Sequence, residues 1–114
     1  MAQDINHYRW KKRVVILISN DQNASAFQKQ VEVLSQYESG LIDRDMIILS
    51  PKGEDRHAVL TKLGVPIKFQ GVLLVGKDGG VKYKGKYPVL AETLFALVDT
   101  MPMRQSEMKR KKGN

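Results

Sequence analysis

The loop Ser19-Asn20-Asp21-Gln22-Asn23-Ala24-Ser25 joins an apolar run to a helical pattern and is rich in helix-capping residues. A helix N-terminus offers free N–H groups and the positive end of the helix dipole, so a loop of this kind can hold an anion. Asn20 and Asp21 are its candidate contacts, and a partly buried Asp21 would serve as a general acid or base. One carboxylate without a positioned partner defines no reaction, and the same polar residues equally well cap the helix. A second group is Arg9-Trp10-Lys11, where the only Trp of the chain stands among cations. Arg9 or Lys11 would bind an anionic ligand while Trp10 stacks upon it. The alternative is that Trp10 covers a sheet edge or helix end. Arg44, between Asp43 and Asp45, reads as an ion-pairing residue unless it reaches the Ser19–Ser25 loop. His57 has no partner in sequence and reads as a surface residue.

The charged C-terminus suggests a different chemistry. Arg104, Lys109, Arg110, Lys111 and Lys112 suit phosphate, a glycosaminoglycan or an acidic membrane surface through charge attraction. They lack the interleaved aromatics of a single-strand binder, so no specific nucleic acid is expected. Of the net charge of +7, residues 1–13 hold +3 and residues 102–114 hold +4, leaving the middle neutral. The basic character sits at the two ends.

Composition removes other classes. There is no cysteine, hence no disulfide, thiolate nucleophile or thiolate metal site. The two histidines, His7 and His57, have no metal-type spacing. Neither a metal nor a cofactor is expected. No apolar run approaches the roughly 18 residues of a membrane span. Met1-Ala2-Gln3-Asp4 leads straight into polar sequence, without a secretory leader. Ala-Gln-Asp also fits a mature N-terminus left by leader removal, with Met1 added, so the compartment stays open between cytoplasm and export. A chain of 114 residues makes one domain, expected over 1–103, followed by a basic extension over 104–114.

The elements that must position these residues follow from hydrophobic pattern. Val14-Val15-Ile16-Leu17-Ile18-Ser19 and Met46-Ile47-Ile48-Leu49-Ser50 read as buried strands. Between them, Phe27, Val31, Leu34 and Tyr37 mark the inner face of a helix, with Ser25 and Gln28 as a capping box, or Asn20 or Asp21 capping an earlier start, and Gly40 as its left-handed end. Glu54 to Leu63 is a short helix closed by Gly64, with Val59, Leu60 and Leu63 inward. Phe69 to Tyr83 is a hairpin: Val72-Leu73-Leu74-Val75 is apolar on both faces, Lys77-Asp78-Gly79-Gly80 turns, and Val81-Lys82-Tyr83 alternates. That alternation puts Val81 and Tyr83 on one face and Lys82 and Lys84 on the other, as in a lysine-protected edge strand. Pro88 is expected at the first position of a last helix whose stripe is Leu90, Leu94, Leu97, Val98 and Met101, with Pro102 breaking or restarting it.

The order β-α-β-α-β-β-α, with a parallel pair first and an antiparallel hairpin last, is satisfied by a four-stranded mixed sheet flanked by helices. The first strand is central and the last lies at the edge. This is the thioredoxin-like α/β fold. Tyr8-Arg9-Trp10-Lys11, Asp43-Arg44-Asp45, Gly64-Val65-Pro66, Val72 to Val81, and Leu94 to Asp99 with Met101-Pro102-Met103-Arg104 resemble one family. It is the domain of unknown function of small bacterial proteins, also a module of vertebrate extracellular proteins such as equarin and the sushi-repeat-containing proteins. The resemblance spans roughly residues 7 to 110. It implies a thioredoxin-like, peroxiredoxin-related fold with no established activity. Redox relatives carry their thiol in the loop matching Ser19 to Ser25, which here has none, and Gly71 stands where thioredoxins have a cis-proline.

The leading expectation is therefore a cysteine-free binding or interaction module for an unknown protein or anionic ligand. The alternatives are an enzyme of non-thiol chemistry, with Arg9, Asn20, Asp21 and Arg44 converging at the former active-site edge, and a polyanion binder working through the basic ends.

Overall fold

The computed structural model describes residues 5–111. A 3₁₀ turn (Ile5–Tyr8) precedes β1 (Arg13–Ile18), α1 (Ser25–Ser35), α2 (Glu38–Asp43), β2 (Met46–Leu49) and α3 (Gly53–Leu63). Then come β3 (Gly71–Val75), β4 (Val81–Gly85), α4 (Ala91–Asp99) and α5 (Pro102–Lys111). The four strands form one sheet in the order β2-β1-β3-β4. β1 runs parallel to β2 and antiparallel to β3, which pairs antiparallel with β4. The expected thioredoxin-like arrangement is present, with Leu17 in a middle strand opposite Val72.

β1 and β3 are buried along their whole length because both sheet faces are covered. On one face Val15, Leu17, Val72 and Leu74 meet Phe27, Leu34, Leu41, Leu94 and Val98 of α1, α2 and α4. On the other, Val14, Ile16, Ile18, Leu73 and Val75 meet Ile5, Val59, Leu60 and Val65. Each fully buried Leu, Ile or Val contributes about 1.5–3 kcal/mol relative to exposure, so these strands form the rigid frame on which the ends of the sheet are built.

Several local expectations are corrected. α1 starts after Ala24 without a side-chain cap, so Ser25 and Gln28 form no capping box. Gln28 instead donates to the Gln22 carbonyl (2.6 Å). Val31 is exposed, and the polar Gln30 is fully buried. Gly40 does not end the helix but lies within α2, where a Cβ would sit 2.6 Å from Phe95 Cε2. The Tyr87–Pro88 bond is cis and α4 begins at Ala91 rather than Pro88. Lys82 is an extra residue in β4: Tyr83 pairs with Leu74, but Val81 pairs with Val75. This bulge turns Val81 and Tyr83 to opposite faces, against the simple alternation.

The expected boundary between 103 and 104 falls inside α5, whose Arg104 and Glu107 are buried. α5 closes the end of the sheet where β1 and β2 begin and β3 ends. Among the described residues no helix is long and apolar enough to cross a membrane.

Candidate functional site

Three distant segments bring charge together under α5. Arg13, the first residue of β1, is 1% exposed. Its two Nη groups donate to Glu107 Oε1 and Oε2 (3.1 and 3.2 Å), and Nη1 also reaches the Arg44 carbonyl (2.8 Å). Lys77, just past β3, donates to Glu107 Oε2 (2.6 Å) and to Asp45 Oδ2 (2.9 Å). A second set lies beside it: Arg104 pairs with Asp43 (2.8 Å) and Asp99 (3.1 Å), and Arg44 pairs with Asp99 (2.9 Å). The Arg44 guanidinium also stacks 4.1 Å from the Phe95 ring centre.

Burial opposes ionisation of Glu107, yet the hydrogen bonds from Arg13 and Lys77 outweigh it and hold its carboxyl below the usual range. Asp45 is lowered in the same way, burial being overcome by Lys77. Asp99 is lowered chiefly by its hydrogen bond from Arg44. All three are carboxylates at neutral pH, and the cluster is a rigid set of internal ion pairs rather than a reservoir of free acid or base.

Above this cluster lies an open cleft of about 390 Å³, lined by Trp10, Arg13, Gly76–Asp78, Lys82 and Met101–Met103. Trp10 is 59% exposed. Its backbone is left-handed (φ 69°), and its N–H donates to the Lys77 carbonyl (2.6 Å), which ties it to the hairpin turn. A bulky residue at positive φ is held there only when its surroundings over-determine it, a pattern associated with functional positions. Arg9 lies over the ring, 5.2 Å from its centre, and packs across Gly79 of the turn. Lys82 and Asp78 pair at the rim (2.8 Å). Arg13 Nε is buried without a hydrogen-bond partner among the described residues.

The opposite end of β1 carries the Ser19–Ser25 loop. Asn20 and Asp21 are exposed there and line a polar depression with Lys52 and Arg56. Their polar groups are engaged locally. Asp21 Oδ1 accepts the Asn23 N–H (2.9 Å), the Asp21 N–H donates to Ser19 Oγ (3.1 Å), and the Asn20 N–H donates to Gln70 Oε1 (3.2 Å). The loop is a structured Asx-type turn in which no buried carboxylate is poised.

The structure thus separates the candidates. Arg9, Trp10, Lys11 and Arg44 lie at the start of β1, whereas Asn20 and Asp21 lie past its end. At about 3.3 Å per residue these ends are roughly 17 Å apart, so the expected convergence of Arg9, Asn20, Asp21 and Arg44 does not occur. Arg44 is engaged by Asp99 and the Phe95 ring. Arg104 is buried in ion pairs with Asp43 and Asp99 rather than lying in a solvated tail. Lys109 and Arg110 are exposed, Lys111 ends α5, and Lys112 lies outside the described residues. Among the described residues no cluster of three His, Asp or Glu side chains is arranged to hold a metal ion. The residues missed in sequence are Lys77, Met101 and Met103. A lysine directly after a two-face-buried strand, and a Met-Pro-Met step between helices, were the available signals.

Fold and site together define a cysteine-free α/β protein of the thioredoxin-like class, with its structured cleft at the end of the sheet opposite the Ser19–Ser25 loop. The chain belongs to the family described as domain of unknown function (DUF4174), which matches residues 4–107. It is similar in structure to the reduced 2-Cys peroxiredoxin of Plasmodium vivax, with a TM-score of 0.68 at 9% identity. That match covers 90% of this chain and 84% of the peroxiredoxin chain, and at this identity it speaks for the fold alone. Comparison with curated proteins gives no significant match.

Proposed function

We propose that this chain is a binding module without thiol redox chemistry, and that its ligand site is the Trp10 cleft. The observation that carries this reading is an exposed Trp held at positive φ by a hydrogen bond to Lys77, at the mouth of an apolar cleft with a cationic rim. An aromatic fixed in advance loses little freedom on binding, which favours recognition. Arg9 and Lys11 supply positive charge beside it, as an anionic ligand or acidic partner would require.

The test is amide chemical-shift mapping with small aromatic carboxylates, neutral aromatics and inorganic phosphate. Shifts gathered on Arg9–Lys11, Gly76–Lys82 and Met101–Met103 support the cleft. Shifts gathered on Ser19–Asn23, or none in either place, overturn it.

Exposure of Lys109 and Arg110 favours a second reading, a polyanion surface on the outer face of α5. Retention on heparin that falls in Lys109→Ala/Arg110→Ala would support it. Unchanged retention would remove it.

A further inference from the structure

We infer that the cleft receives an acidic peptide segment that carries an apolar side chain. This rests on the reading of the cleft as the ligand site and adds the class of partner. The centre of the cleft is apolar: Trp10, Met101, Pro102 and Met103, with Met103 41% exposed. Methionine adapts to the shape of what it covers, and Trp, Met and Arg are the residues enriched where protein partners meet. Lys82 lines the cleft, Arg9 lies over the Trp10 ring, and Lys11 follows Trp10 in the chain; all three are exposed. Asp78 offsets Lys82, which leaves the charge of Arg9 and Lys11. Asp45 and Glu107 are taken up by Lys77 and Arg13, and among the described residues of the lining Asp78 is the one acid outside that cluster.

Asp78 is held by Lys82 in a solvent-exposed i,i+4 pair, a weak type of contact that an incoming carboxylate can replace. An apolar centre ringed by charge is the anatomy of a protein-recognition patch. A small anion alone would gain little, since the lining offers no set of free donors converging on one point. A lipid surface would need the apolar side chains to protrude, whereas these line a concavity.

Trp10 is the only Trp in the chain, so its emission reports the cleft directly. The probes are Trp-free synthetic peptides: one with two leucines among Asp and Glu, one with Lys in place of the acids, and one with Ser in place of the leucines. The acidic leucine peptide should shift Trp10 emission to the blue and saturate. The Ser peptide should bind about tenfold more weakly and the Lys peptide should give no shift. Lys11→Glu and Met103→Ser, each with an unchanged far-UV spectrum, should weaken the acidic leucine peptide by about tenfold. Equal binding of the acidic and basic peptides overturns the inference, as does a shift with anionic phospholipid vesicles but with no peptide. Cleft shifts caused by neutral aromatic fragments with no peptide binding overturn this inference alone. Silence of the cleft toward fragments and peptides overturns the underlying reading as well.

Discussion

Arg13 and Glu107, 94 residues apart, face each other as two parallel charge-assisted hydrogen bonds between the first strand and the last helix. Lys77 joins the same carboxylate and also reaches Asp45, so two acids balance two buried cations. Removing one partner of a buried pair leaves an uncompensated charge, which costs about 3–5 kcal/mol. Glu107→Ala should lose stability on that scale in urea denaturation, because Arg13 and Lys77 stay buried. Replacing Arg13, Lys77 and Glu107 together by Met or Leu should cost less than Glu107→Ala alone. A loss below about 1 kcal/mol for Glu107→Ala would mean that α5 is not docked through this pair.

The acid response follows from the same contacts. Glu107, Asp45 and Asp99 all titrate below their ordinary values in the folded chain. A lowered native pKa gives stability that is complete above the unfolded value and is lost as pH falls through the native one. Stability against urea should therefore be flat from neutrality down to about pH 5 and fall below about pH 4. Glu107→Gln should be less stable at neutrality and show a shallower fall. An equally steep fall in that variant would remove Glu107 from the account.

Much of the frame was legible because it rests on simple period and length. The continuous apolar runs at Val14–Ile18 and Val72–Val75 correspond to strands buried on both faces, and Gly64 closes α3 in the left-handed conformation. What escaped depends on contacts far apart in sequence. Gly40 resembles a helix end, but its smallness accommodates Phe95. The bulge at Lys82 breaks the period of two that put Val81 beside Tyr83. Arg104 and Glu107 sit in a charge-rich run, and such runs normally face water; only the third dimension supplies Asp43, Asp99, Arg13 and Lys77. Trp10 was recognised as a candidate, but its partners come from the hairpin turn and the α4–α5 step.

Gln30 gives a prediction that pattern alone would invert, since a buried helical position invites Leu. Its amide donates to the Val89 carbonyl (2.8 Å) and accepts the Val89 N–H (2.6 Å), with the side chain fully buried. Gln30→Leu strands two buried backbone groups, each costing about 1–3 kcal/mol. The variant should melt well below the parent despite its greater apolarity. A neutral or stabilising result would show that the loop before α4 moves to find other partners.

Tyr87 makes the corresponding prediction at the alkaline end. Its hydroxyl donates to the Ile18 carbonyl (2.7 Å), and burial pushes its pKa up to about 12. A raised native pKa contributes stability that is whole below the ordinary value of 10 and is lost as pH rises toward 12. Tyr37 is also raised, by the neighbouring Glu92 carboxylate, so ultraviolet titration should show late tyrosinate formation whose last part disappears in Tyr87→Phe. An unaltered titration in that variant would assign the late step elsewhere.

Helix α1 follows the central strand with no side-chain cap at its N-terminus, and the chain carries no cysteine. The native protein should therefore give insulin reduction and peroxide consumption at the rate of buffer alone. A grafted thiol isolates what the scaffold itself supplies. Ser25 and Ser35 are the first and last residues of α1 and both are exposed, so exposure does not separate them. The dipole and unpaired N–H groups favour a thiolate at the first position, while the carbonyl end disfavours one at the last. Ser25→Cys should react with a disulfide reagent with an apparent pKa below the free value of about 8.5, and Ser35→Cys with one above it. Equal values would mean that solvent screens the helix terminus. The fold would then lend no reactivity to a thiol at Ser25.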